Sequence, residues 1–233
     1  MCKILKNILL PILYVVVASI VAVGAIVAEQ CCCTAMEQEV EQPVSELLSE
    51  GEYAISTYDN VFRRICGQYG VDWRLMSAIA YGESNFRHDA VSPRGAVGLM
   101  QVMPLVAKSM GYAPEALMDA KVCTEVAARL LHENNDMLRF PKGFDKTERL
   151  NFILACYNAG YPRIADARRL ARFYAEDADK WSVVATYLPL LAEPEYAEHE
   201  VVQSGAFHGS SETITYVRKV MRVYGRYKKR IAE

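Results

Sequence analysis

No lysine or arginine occurs between Lys6 and Arg63, and only four histidines are spread over 233 residues. His88, His132, His199 and His208 stand at no spacing that a metal shell uses, so surface or core roles are expected of them. No glycine-rich segment carries the lysine and Ser/Thr of a phosphate loop, which removes the commonest nucleotide chemistry. Nothing resembles an arginine-rich face or an aromatic stacking platform, which argues against nucleic acid. No alternation of apolar and polar residues is long enough for a confident strand, and there is no internal repeat. Beyond position 33 only Cys66, Cys123 and Cys156 remain of seven cysteines. An odd number at wide spacing is neither a disulfide framework nor a zinc site. Buried thiols in helices are expected, with one bridge among the three left open by an oxidising compartment.

The longest uncharged apolar run, residues 8–28, is about the length that spans a hydrocarbon core. Lys3 and Lys6 precede it, so the positive-inside bias places everything after residue 28 outside the cytoplasm. Residues 1–28 therefore read as a membrane anchor. Two rival readings stay open: a cleaved signal peptide, and lipid attachment at Cys31, Cys32 or Cys33. Glu29 and Gln30 fit both poorly, because those signals want small residues there. Residues 29–52 are rich in Glu and Gln and read as an acidic flexible linker. A short helix around residues 44–48 is not excluded. Removing residues 1–52 turns the formal charge from −2 to about +3, a balance compatible with an anionic polymer.

Residues 53–233 read as one helical body. Asp72 can cap a helix whose apolar face is Leu75, Met76, Ile79 and Ala80. Asp119 can cap another through Val122, Val126, Leu130 and Leu131. Asp145 and Glu148 have capping-box spacing, and Gly160 stops the helix they begin. Ile214, Val217, Met221 and Tyr224 mark the core face of a last helix that ends in Lys228, Lys229 and Arg230. The expected fold class is all-α or nearly so.

Glu83 lies four residues after Ile79 and seven after Met76, so it continues an apolar stripe. A carboxyl group held there is desolvated and its pKa rises, as a general acid near neutrality requires. The bland alternative is a frayed, exposed residue beside Gly82. Residues 95–101, Gly-Ala-Val-Gly-Leu-Met-Gln, open a loop ahead of Pro104, which can start a helix. Its glycines allow close backbone approach to a ligand, and its N–H groups and Gln101 offer donors to sugar oxygens. Asp89 reads as a turn residue.

Together, Glu83-Ser84-Asn85-Phe86, Ser92, residues 95–104, Cys156-Tyr157-Asn158-Ala159-Gly160 and Glu212-Thr213-Ile214-Thr215-Tyr216-Val217 resemble, in order, four motifs of the soluble-type (SLT) lytic transglycosylase domain. Residues 180–196 bring the resemblance closest to the catalytic domain of its membrane-bound F branch, over roughly residues 58–228. That branch carries a large solute-binding-like domain, which is not expected within these 233 residues. Residues 201–209 are also less basic and tyrosine-rich than its counterpart.

The resemblance implies a lysozyme-like fold, peptidoglycan glycan strands as substrate, no cofactor and no metal. It further implies that Glu83 is the single catalytic acid and base, with no evident second acid. Ser92 would bond near an N-acetyl group or Glu83. Gly98, Met100 and Gln101 would line the cleft, while Tyr157 and Asn158 would orient Glu83 from beneath. Tyr216 would place its hydroxyl at the reacting centre, and Glu212 would cap the last helix or brace the site. Cell-envelope localisation, with the catalytic part in the periplasm, follows. A hydrolase resembling goose-type lysozyme and a wall-binding protein without catalysis are the competing readings.

Overall fold

The structure, a computed structural model, describes residues 54–231. The expected anchor and acidic linker lie outside the described residues. Helices α1 (Asp59–Gln68), α2 (Trp73–Ser84), α3 (Pro104–Ser109), α4 (Ala120–Leu138), α5 (Lys146–Ala159), α6 (Tyr161–Phe173), α7 (Trp181–Tyr187), α8 (Pro194–Ala197) and α9 (Ser210–Arg230) follow in order. Among the described residues there is no strand. Backbone pairing of that kind is limited to isolated antiparallel bridges, Val91 with Val97 and Val97 with Val102. The all-α expectation holds for this part.

The expected caps start their helices. The Asp72 carboxylate accepts from the Arg74 N–H at 2.9 Å, and Asp119 accepts from Lys121 and Val122 at 2.8 and 3.0 Å. Asp145 accepts from the Glu148 N–H at 2.8 Å, but the return arm of a capping box is absent. The Glu148 carboxylate instead takes the Trp181 N–H at 2.7 Å, which ties α5 to α7. Gly160 stops α5 at φ +85° and hands directly to α6.

Met76, Ile79, Leu99, Met100, Phe152, Leu154 and Ile164 are fully buried in one core. The last helix lies along both α2 and α5. Its buried face is Thr213, Val217, Val220, Val223 and Tyr224, whereas Ile214 and Met221 are only half-buried. Contact with two neighbours turns the face away from the one expected. A hydrogen bond from the Tyr224 hydroxyl to Asp72, 2.8 Å, pins the end of α9 to the start of α2. These two helices thus hold opposite walls of one site in register.

Candidate active site

Glu83 occupies the last turn of α2, where the stripe of Met76 and Ile79 reaches the surface. The chain then turns through two residues with left-handed backbone, Asn85 at φ 52° and Phe86 at φ 62°. Such geometry persists only where surrounding contacts impose it. Here the imposing contact is Ser84: its buried hydroxyl donates to the Leu99 carbonyl at 2.8 Å and accepts from the Arg87 N–H at 3.1 Å. One side chain beside Glu83 thereby stitches α2 to the glycine-opened loop.

That loop is fastened from below at several points. The Gly98 N–H donates to the Ala90 carbonyl at 2.8 Å, and the Met100 N–H reaches the Cys123 sulfur at 3.3 Å. Burial pushes the Cys123 thiol up to about 11, so it is a neutral packing group rather than a nucleophile. Gln101 stands at φ 48°, held by its side-chain amide nitrogen donating to the carbonyls of Ala90 (3.0 Å) and Gly98 (2.9 Å). Two carbonyl acceptors fix the orientation of that amide. Gln101 therefore offers the cleft its carbonyl oxygen, where donors had been expected.

A cavity of about 380 Å³ opens above Glu83, bounded by Ser92, Arg94, Gln101, Met103, Leu130, Tyr157, Asn158 and Glu212. Burial drives the Glu83 carboxyl upward, the Tyr216 hydroxyl pulls it back by favouring the charged form, and the negative charge of Glu212 raises it again. The result is about 7, inside the range a general acid at neutral pH requires. Burial and the Glu83 charge push the Tyr216 hydroxyl well above its ordinary value, so it keeps its proton. That hydroxyl is buried and has no hydrogen-bond partner at ordinary geometry. It is a donor held in reserve beside Glu83.

Ser92 borders the cavity, with its hydroxyl accepting from the Ala96 N–H at 2.9 Å. Tyr157 also borders it, but its hydroxyl donates to the Met100 carbonyl at 2.8 Å, so it supports the loop and packs against Glu83 without bonding to it. Asn158 accepts from the Thr213 hydroxyl at 2.8 Å, which turns its amide nitrogen toward the cleft. Gly98 and Met100 are not in the cavity wall. Gly98 is buried at φ +79°, and a Cβ there would stand 2.1 Å from the Leu117 carbonyl oxygen, so glycine is demanded by packing. Met100 is fully buried, and the methionine that faces the cleft is Met103, 44% exposed.

Glu212 makes no side-chain cap on α9. Across the cavity mouth it forms an ion pair with Arg94 at 3.0 Å. It is also a second carboxylate lining the same cavity, where it braces the mouth. No role was expected of Arg94, which adjoins the glycine-opened loop, or of Thr213 within the fourth motif. Among the described residues no group of three or more His, Cys, Asp or Glu side chains converges as a metal shell would need.

The profile of the transglycosylase SLT domain matches residues 60–181, from α1 to the start of α7. The chain belongs to the transglycosylase SLT domain family. It is similar to the membrane-bound lytic murein transglycosylase F of Marinobacter nauticus, 35% identical over 173 residues, covering 74% of this chain and 33% of that one. A second relative, the membrane-bound lytic murein transglycosylase F 1 of Alkalilimnicola ehrlichii, is 35% identical over 176 residues, covering 76% and 34%. The chain thus spans about a third of the length of these curated relatives. The crystal structure of the 70 kDa soluble lytic transglycosylase of Escherichia coli superposes with a TM-score of 0.54 at 22% identity, over 76% of this chain and 25% of that one. That likeness shows a shared fold. The first three motif segments around Glu83, Gln101 and Tyr157 fall inside the profile match, while Glu212 and Tyr216 lie beyond its end.

Proposed function

We propose that this chain is a lytic transglycosylase that cleaves the β-1,4 bond between MurNAc and GlcNAc in peptidoglycan, with Glu83 as its general acid and base. The observation that carries this reading is the Glu83 carboxyl at the floor of the cleft, where burial pushes it up to about 7. At neutral pH such a group is present in both protonation states, as one residue acting first as acid and then as base demands.

Protonated Glu83 donates its proton to the bridging oxygen, and the GlcNAc hydroxyl departs. The N-acetyl carbonyl of MurNAc closes on C1 as an oxazolinium-like intermediate. Glu83, now a carboxylate, removes the proton of the MurNAc 6-hydroxyl, whose oxygen displaces the N-acetyl oxygen from C1. A 1,6-anhydroMurNAc end forms, no water is consumed and Glu83 regains its proton. Tyr216 supports the second half of the cycle by donating to the charged carboxylate. The Asn158 amide nitrogen and the Gln101 carbonyl supply a donor and an acceptor for sugar substituents. The names of the relatives support the same substrate and a location in the cell envelope.

Glu212 gives the hydrolase alternative a specific footing, since paired carboxylates flank the scissile bond in most glycoside hydrolases. Its ion pair with Arg94 at the exposed mouth weighs against it as the group that activates water. Mass spectrometry of products released from intact sacculi separates the two. Anhydro ends at every cut are expected; reducing MurNAc ends would assign the hydrolase.

A further inference from the structure

Helix α9 carries seven lysines and arginines and a single acidic residue, Glu212 in its first turn. Arg218, Lys219, Arg222, Arg226, Lys229 and Arg230 are all exposed. At 100° per residue they fall within an arc of about 120°, and they extend along ~18 Å of helix. Their side chains meet no carboxylate among the described residues, unlike Arg74, Arg94, Arg129, Arg168 and Arg169, which each pair with an acid. A solvated helix face ordinarily mixes both signs. This one holds six like charges at their mutual repulsion, which an anionic surface would relieve.

The stripe borders a second cavity of about 410 Å³ between α2 and α9, floored by Ala78, Val220 and Val223 and edged by Tyr81, which is 44% exposed. It shares no lining residue with the cleft above Glu83. At the end of α2, Gly82 and the capping residue Asn85 face this cavity while Glu83 faces the other. A long cationic face with a tyrosine at its edge and a small apolar recess matches a sheet of anionic headgroups. The cations meet the phosphates, and the ring sits at headgroup depth. A cleft for one flexible anionic chain would instead converge its donors on a point. The uncharged run at residues 8–28 adds that a bilayer is within this chain's reach.

We propose that the basic face of α9, with the α2–α9 recess, docks the domain on an anionic phospholipid surface and leaves the Glu83 cleft directed away from it. The wall polymer is the rival occupant. The test is acylation footprinting of lysines in the full chain mixed with discs of phosphatidylcholine, or discs that also contain phosphatidylglycerol. Both discs offer the apolar run the same hydrocarbon, so the difference isolates headgroup charge. Lys219 and Lys229 are expected to react several-fold more slowly on the phosphatidylglycerol discs, and Lys108 on α3 and Lys142 in the turn between α4 and α5 at unchanged rates. The double variant Arg222→Glu/Arg226→Glu, or high salt, should abolish the protection. Each reversed charge should weaken the apparent lipid affinity by at least roughly fivefold. Equal rates on both discs would overturn the proposal, as would protection that survives in the double variant. Protection by intact sacculi but not by phosphatidylglycerol would overturn it in favour of the wall polymer.

Discussion

Glu83 at the end of α2 and Asp166 within α6 are both withdrawn from water by the fold, and they reach opposite proton affinities. For each, burial is the largest influence and acts upward. Around Asp166 the protein supplies full compensation: the N–H groups of Gln203 and Ser204 donate at 2.8 and 2.9 Å, and the Ser204 hydroxyl and Arg169 guanidinium join them. Its carboxyl therefore falls below the ordinary range. Around Glu83 only Tyr216 opposes burial, and Glu212 reinforces it. Burial alone does not decide a carboxylate's charge; the number of donors committed to the ionised form does. One carboxylate is built to hold a loop, and the other is left poised to exchange a proton.

The largest expected effect comes from removing the poised group. Glu83→Gln keeps the shape and loses the proton, so cleavage of sacculi should fall by roughly 10³-fold or more. The same variant should be more stable than the parent at neutral and alkaline pH. The folded-state value of about 7 lies above the ordinary 4.5. The cost of ionising Glu83 is therefore absent below pH 4.5, grows between 4.5 and 7, and is complete above 7. Urea unfolding should show Glu83→Gln gaining up to about 3 kcal/mol at pH 8 and nothing at pH 4. A variant that loses stability at pH 8 would mean that Glu83 is a structural carboxylate like Asp166, and the contrast would collapse.

Asp166→Ala should do the reverse. It leaves two N–H groups and a guanidinium facing an empty site, at a cost of about 3–5 kcal/mol by chemical denaturation. The pH dependence also inverts. Its folded-state value is depressed, so the stability it contributes is complete above the ordinary carboxylate range and is lost as pH falls through the depressed value. The segment it grips leads into α9 and the Glu212 wall. Cleavage should weaken only through looser positioning, with the pH optimum unmoved. A loss below about 1 kcal/mol would show that the network around Asp166 is incidental.

The poised half of this comparison was far more legible in the sequence than the braced half. Glu83 announced itself by helical periodicity from Met76 and Ile79, a local relation within one turn or two. Gln101, Tyr157 and Asn158 came with motifs short enough to be recognised whole. Arg94 and Glu212 meet across 118 positions, and Asp166 meets Ser204 across 38. No local pattern encodes such pairings, because they depend on how helices dock. The motif around Gly98 suggests close approach to a ligand. The packing partner of Gly98 is the Leu117 carbonyl, supplied by a separate short turn. Met100, expected in the cleft, is fully buried, and Met103 three residues on takes that position.

The smallest expected effects test whether the two influences on Glu83 have the signs assigned to them. The alkaline limb of kcat/KM reports loss of the acid's proton in the free enzyme. Tyr216→Phe removes the donor that favours the charged carboxylate, so the limb should move to higher pH even as the rate itself drops. Glu212→Gln removes a neighbouring negative charge, so the limb should move to lower pH. That shift should be the lesser one, because Arg94 already neutralises part of the Glu212 charge at 3.0 Å and the pair is exposed to screening. Arg94→Ala should then shift the limb opposite to Glu212→Gln, and the double variant should return to the position of Glu212→Gln alone. Movement of the Tyr216 and Glu212 limbs in the same direction would leave desolvation as the whole cause of the raised value and remove both neighbours from the account of Glu83.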